Sequence, residues 1–320
     1  MEYHPPRWLP GGHLQTIWPA MIAPRAAVRL RRERWDTPDG DFIDVDRIDA
    51  PEGRDAPLVV LFHGLEGGSD SPYARALMAA AAARGWRGAV AHFRGCSGEL
   101  NRAPRAYHSG DSEEIDWVLR RFAAEPGSAA QPLYAAGVSL GGNALLKWLG
   151  EHGSGAGFVR AAAAVCPPQD LHAGAVALSR GFSRVYTRHF LSTLKRKSLG
   201  KLAQHPGLFD RERMLAARDF FDFDEAVTAP LHGFAGCRDY WRRSSCRQFL
   251  GGIRVPTRVL NALNDPFLPA SALASPAQVS PQVSLHYTRR GGHVGFHAGG
   301  AARPSAWLAD YLTGWFDAHR

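Results

Sequence analysis

The sequence is poor in cysteine: four residues in 320, at Cys96, Cys166, Cys237 and Cys246. Their spacing fits no zinc pattern, and so few thiols are expected to be reduced in a cytoplasmic protein rather than paired in a disulfide framework. No run of about 18 uncharged apolar residues occurs, so no transmembrane helix is expected. The first residues, MEYHPPRWLPGGHLQTIWPA, lack the basic stretch and apolar stretch of a secretory leader. No repeat at a solenoid period and no long low-complexity linker interrupts the chain. Acidic residues are outnumbered, giving a net charge of +8 and a pI near 9.6. The excess is arginine scattered along the chain, without a helix-turn-helix, zinc or RNA-binding signature, so nucleic acid is not an expected partner. The densest basic piece, RHFLSTLKRKSLGK at 188–201, reads as a solvated helix face, with contact to a membrane surface as the alternative.

What is present is an alternation of apolar runs and helical patterns. VRLRRERWDT and DFIDVDRIDA flank PDG and predict an antiparallel hairpin. PLVVLFHG at 57–64 is a short, continuous apolar run, as a buried strand requires. SPYARALMAAAAARG follows, with Ser71 as the expected N-cap and Pro72 in the first turn. WRGAVAHFRG predicts a strand, and SEEIDWVLRRFAAE a helix with acids early and arginines late. PLYAAGVS, LGGNALLKWLGEHG and VRAAAAVCPP then read as strand, helix and strand. RVPTRVLNAL and VSLHYTRR return to strand alternation before a last helix, SAWLADYLTGWFDAH. This order predicts an α/β fold: a mostly parallel central sheet with helices on both faces. Residues 1–168 and 251–320 form the expected core, with 1–27 as an N-terminal extension. Residues 169–250, helical and irregular, form the expected cap or lid.

Three glycines crowd one serine in GVSLGG. Gly137-Val-Ser139-Leu-Gly141 lies between an expected strand and an expected helix, the context of a nucleophile elbow. In so tight a turn, side chains two residues either side of the serine would strike neighbouring backbone, so Gly137 and Gly141 are needed; Gly142 would let the helix approach the sheet. The following helix N-terminus would face developing negative charge. Serine needs a base, and this fold orders the partners as serine, acid, histidine. Asp265 in NALNDPF and His293 in RRGGHVGF each follow a strand, where ligands bind in open parallel sheets. His297, His286 and Asp170 are the competitors. Asp265 also sits in a good turn former, Asn-Asp-Pro, and capping that turn is its alternative role. The oxyanion donors expected are the backbone N–H groups of Leu140 and Leu65, with Gly64 shaping the second loop. His63 is open between a structural hydrogen bond and a direct role, and the Glu66 carboxylate is expected to point away from the site. Cys96 and Ser97, in FRGCSG, fall near the site or merely in a glycine-rich turn.

HLQTIWPA, HGLEGGSDSPYARAL, HFRGCSGELN, YHSGD, GVSLGGNALLKWLGE and NALNDPF together resemble the YheT-like hydrolases of the alpha/beta hydrolase superfamily, also called the AB hydrolase type 4 family. The resemblance spans nearly the whole chain. It implies a serine carboxylesterase-like activity on acyl esters, with no metal or organic cofactor, and Ser139, Asp265 and His293 as nucleophile, acid and base. Eukaryotic members are linked to lipid esters, including acylglycerols, phospholipids and fatty acid ethyl esters, and some transfer acyl groups. The substrate expected is therefore a small-molecule or lipid acyl ester. The segment RWLPGGHLQTIWPAMI is expected to pack on the core, or else to line an acyl pocket or touch lipid. An acyltransferase using the same triad and a non-catalytic binding protein on this fold are the rival readings.

Overall fold

A computed structural model of the chain describes residues 2–48, 56–125 and 131–320. Eight strands form one sheet: β1 (Arg31–Asp36), β2 (Phe42–Ile48), β3 (Leu58–Phe62), β4 (Arg87–Ala91), β5 (Leu133–Val138), β6 (Ala161–Val165), β7 (Thr257–Ala262) and β8 (Val283–Thr288). Their spatial order is β1-β2-β4-β3-β5-β6-β7-β8. The β1–β2 hairpin pairs Asp36 with Phe42 across its turn and joins β4 antiparallel, while every later pairing is parallel. Residues 49 and 50 of the second hairpin run lie outside the described residues.

The continuous apolar runs of β3, β5 and β6 follow from burial on both faces. Leu58, Val60 and Phe62 point into one core with α3 (Ser112–Ala123) and α4 (Leu140–His152). Val59 and Leu61 point into the other with α2 (Pro72–Ala83) and α11 (Trp307–Asp317). Ser71 is the N-cap of α2 as expected, but its hydroxyl accepts from the N–H of Gly68 instead of capping the helix. The strand order reverses between β3 and β5, so the loops leaving their carboxyl ends diverge and open a crevice there.

An 11-residue helix, α1 (Gly11–Met21), precedes the sheet. Between β6 and β7 lie α5 (Leu171–Leu178), α6 (Arg184–Gln204), α7 (Arg211–Ala216), α8 (Phe220–Phe223), α9 (Ala229–Leu231) and α10 (Cys237–Ser244). These helices bury small apolar clusters of their own, around Leu191, Met214 and Phe223 and around Tyr240 and Trp241. Cys246 and Leu250, at the end of this stretch, pack instead in the core beneath α4.

The basic stretch in α6 is a solvated face only in part: Arg188, His189 and Arg196 are exposed, while its lysines turn inward. Lys195 Nζ donates to the carbonyls of Leu215 and Ala217, Lys201 to those of Asn101 and Ala103, and Lys197 reaches Glu66. Lysine stems cover apolar surface while their ammonium groups find buried acceptors, so the same charges tie α6 inward. Among the described residues no helix is long and apolar enough to cross a membrane.

Candidate active site

Ser139 follows β5 directly and begins the turn into α4, with φ 52° and ψ −119°. A left-handed serine costs about 1–3 kcal/mol and persists where its surroundings over-determine it. The glycines do so. A Cβ on Gly137 would stand 2.5 Å from the Gly141 oxygen, and one on Gly141 would stand 2.4 Å from the Phe62 oxygen. Gly142 lies against the Gly137 backbone and Pro167.

Ser139 Oγ is 2.9 Å from His293 Nε2. The other ring nitrogen, Nδ1, is 2.8 Å from Asp265 Oδ2, so the ring has one nitrogen for each partner. The Asp265 side chain is 1% exposed and its second oxygen accepts from the N–H of Phe267. The carboxylate thus caps its own turn and binds histidine; the two roles are simultaneous. The His293 ring stacks on Phe267, centroids 4.0 Å apart, which fixes its plane.

None of the competing residues bonds Ser139 or His293. Asp170 caps α5, accepting from the Ala173 N–H at 2.9 Å. His286 bonds the Tyr311 hydroxyl. His297 is buried beside Trp8, and burial lowers its pKa. His63 is spent on structure: Nδ1 faces the Gly64 oxygen at 2.8 Å, and Nε2 accepts from the Phe93 N–H at 3.0 Å. Complete burial lowers its pKa to about 3 and keeps it neutral.

Around Ser139 most backbone donors are used. The Gly64 N–H goes to the Tyr73 hydroxyl, the Glu66 N–H to the Tyr107 hydroxyl, and the Gly141 N–H to the His63 oxygen. The N–H groups of Leu65 and Leu140 donate to no group among the described residues. A Cβ on Gly64 would come within 3.2 Å of Ser139 Cβ, which measures how closely this loop approaches the serine.

Glu66 is turned into a cluster rather than left in water. Its Oε1 accepts from the Tyr107 hydroxyl and the Lys197 ammonium, each at 2.8 Å. The paired cation offsets a carboxylate that would otherwise oppose charge growing nearby. Lys197 also lies 3.3 Å from the Cys96 sulfur, whose pKa burial pushes up to about 11. Cys96 and Ser97 both line the cavity, and nothing in the arrangement asks the protonated Cys96 thiol to react.

That cavity has a volume of about 870 Å³ and reaches Ser139 and His293. Leu171, Leu178, Phe190, Phe220, Phe223 and Val227 give it an apolar wall from the helices between β6 and β7. Its size lies within the range of ordinary small-molecule sites. The sulfur of Cys166 shares a cluster with the carboxylate of Asp265 and the ring of His293. Burial, then the Asp265 charge, raises its pKa well above the thiol range, so it stays a neutral donor. Asp265 and His293 are already committed to each other.

Sequence reasoning missed the residues beneath the histidine loop. Thr16 Oγ1 accepts from the His293 N–H at 2.8 Å, and Gln15 Oε1 from the Gly291 N–H at 2.9 Å. Ile17, Ala20 and Met21 of the same helix line the cavity, so the N-terminal segment both packs and lines. No local pattern marks such contacts, because their partners lie more than 270 residues away.

Residues 57–299 match the model of a family described as alpha/beta hydrolase fold. The chain is 40% identical over 317 residues to an Escherichia coli (strain K12) protein named "Putative esterase YheT", covering 98% of this chain and 92% of that one. It is 29% identical over 317 residues to human "Phospholipase ABHD3", covering 96% and 76%. A solved structure of a Pyrococcus furiosus esterase superposes with a TM-score of 0.57 at 15% identity, covering 94% of this chain and 98% of the other, and shares the fold.

Proposed function

This chain belongs to the alpha/beta hydrolase family, in its YheT-like branch, and as a carboxylic ester hydrolase we propose that it works through an acyl-enzyme on Ser139. His293 Nε2 takes the hydroxyl proton as Oγ attacks the ester carbonyl carbon. The carbonyl electron pair moves onto oxygen, where the N–H groups of Leu65 and Leu140 receive it. Collapse of this intermediate breaks the carbon–alkoxide bond, and His293 returns the proton to the leaving oxygen. Water then repeats the sequence on the acyl–Oγ ester and frees the acid. Asp265 holds the Nδ1–H tautomer and stabilises the imidazolium. The observation that carries this reading is the continuous Ser139–His293–Asp265 chain of 2.9 and 2.8 Å contacts.

The substrate class proposed is an ester with an apolar acyl chain. The phenylalanine- and leucine-lined wall supports it, as does the relative named as a phospholipase. The core at 1–168 and 251–320, with 169–250 as a cap, is the domain division proposed for this role, with the end of the cap stretch, Cys246 and Leu250, packed in the core.

The test is hydrolysis of p-nitrophenyl esters from acetate to palmitate. Turnover is expected, with kcat/KM rising from acetate to a longer acyl chain as methylenes enter the apolar wall. Added ethanol should divert a constant fraction of product to ethyl ester, whichever leaving group is used, because one acyl-enzyme serves both acceptors. No turnover of any ester would sink the reading.

A further inference from the structure

The loop bearing His293 is unusual in how it is held. Gly291, Gly292, Val294 and Phe296 all have positive φ, at 151°, 61°, 61° and 35°. Such a path does not let successive N–H groups pair within the loop as a helix or ladder would. Phe296 N–H to the Gly291 oxygen, 3.2 Å, is the internal bond. The four consecutive N–H groups from Gly291 to Val294 instead go in turn to four side chains. Gly291 donates to Gln15 Oε1, Gly292 to Asn264 Oδ1, His293 to Thr16 Oγ1 and Val294 to Cys166 Sγ. Two of these four side chains come from α1, which lies before the stretch matching the family model.

The two α1 acceptors are themselves fixed. Gln15 is fully buried, its amide nitrogen donates to the Leu9 oxygen, and its oxygen also accepts from Asn264 Nδ2 at 2.9 Å. Asn264 precedes Asp265, so one glutamine oxygen joins the loop of the histidine to the loop of its carboxylate. Thr16 donates its hydroxyl hydrogen to the Gly12 oxygen at 2.7 Å, which leaves a lone pair facing the His293 N–H. Backbone contact sets the spacing: a Cβ on Gly12 would fall 2.0 Å from the Asn264 oxygen, and one on Gly295 1.8 Å from the Gln15 oxygen.

We propose that Gln15 and Thr16 are positioning residues for the base: α1 acts as a clamp that sets where His293 Nε2 stands relative to Ser139 Oγ. The proposal rests on the triad reading above. It makes the N-terminal helix a working part of the reaction centre: Gln15 is fully buried beneath the histidine loop, and Thr16 lies at the cavity wall. A displacement of about 1 Å in a reacting pair costs about a hundredfold in rate, so loss of one anchor is read in kcat, while a replacement of nearly the same shape keeps the cavity wall that Thr16 helps form, and with it KM.

The experiment compares the full-length wild type with Thr16→Val and Thr16→Ser. Each is measured for kcat and KM on a p-nitrophenyl ester, for folded fraction by near-UV circular dichroism, and for the rate of Ser139 labelling by a fluorophosphonate. Thr16→Val removes the acceptor at nearly constant shape. It is expected to lower kcat and the labelling rate about tenfold to a hundredfold, per folded molecule, with KM within about twofold. Thr16→Ser should restore both rates. Should Thr16→Val fail to fold, Gln15→Met supplies the same comparison through the Gly291 anchor. Unchanged kcat and labelling rate per folded molecule in the folded variant would overturn the proposal. If the wild type turned over no ester, the ester reading would fall by itself, and the labelling rates would still decide the clamp. If the wild type were not labelled either, both would fall.

Discussion

Replacing Ser139 by alanine is expected to lower kcat for ester hydrolysis by about a millionfold, the loss typical of a triad nucleophile, and to leave thermal stability close to that of the wild type. The two halves of this expectation come from different atoms. Activity is lost because no other hydroxyl or thiol among the described residues bonds His293 Nε2. Cys166, the nearest thiol by cluster, is held protonated by burial and bonds backbone of the histidine loop. Stability is kept because alanine carries the same Cβ as serine at φ 52°, so the strain of the turn is unchanged. Asp265→Asn belongs to the same expectation with a smaller loss, about ten-thousandfold. An asparagine cannot hold the His293 tautomer that leaves Nε2 free to accept. Steady-state kinetics beside a melting curve checks both, and a Ser139→Ala enzyme with more than about a thousandth of wild-type kcat would contradict the mechanism.

Gly141→Ala is expected to act on the fold itself. The added methyl would lie 2.4 Å from the Phe62 oxygen and 2.5 Å from the His63 oxygen. Both are backbone atoms at the end of β3, a strand paired on each side by β4 and β5. Neither can retreat without breaking ladder hydrogen bonds, and the Gly141 N–H bond to the His63 oxygen holds the same surfaces together. Such overpacking against fixed backbone falls among the most damaging single changes, above about 4 kcal/mol, a large share of the stability of an ordinary domain. The expected result is a loss of soluble, cooperatively melting protein. Gly155→Ala is the control: a Cβ there meets nothing within 4 Å, and its melting midpoint should stay within a few degrees of wild type. A folded Gly141→Ala protein with normal stability would show that the elbow is looser than these distances imply.

Much of this was legible in the sequence because it is written locally. β3, β5 and β6 are apolar runs of five or six residues, β7 and β8 return to strand alternation, and α2 and α3 carry signals of their own, Pro72 in the first turn of one and early acids with late arginines in the other. The elbow is legible because Gly137 and Gly141 flank Ser139 between a strand and a helix; the Gly137 clash is local, against Gly141 and Gly142, whereas that of Gly141 is with Phe62 and His63 at the end of β3. Asp265 and His293 were placed by chain order and by the strands they follow. What escaped was set by contacts between distant segments. Ser71 caps α2 by position, yet its hydroxyl serves Gly68 because the β3–α2 loop folds back over it. The lysines of α6 have the periodicity of a surface helix and turn inward only because Asn101, Ala103 and Glu66 offer acceptors across the cleft. Glu66 lies in the proposed oxyanion loop, and its charge is paired by Lys197, 131 residues away, which no local pattern marks. Gln15 and Thr16 carry no signal of their own; their meaning lies in the backbone of a loop at the other end of the chain.

The most direct test of the central claim is the mass of the protein after exposure to a fluorophosphonate, followed by peptide mapping. One adduct per chain is expected, on Ser139, formed rapidly in the wild type and absent from Ser139→Ala. An adduct on another residue, or none on a folded chain, would contradict the assignment of Ser139 as the nucleophile.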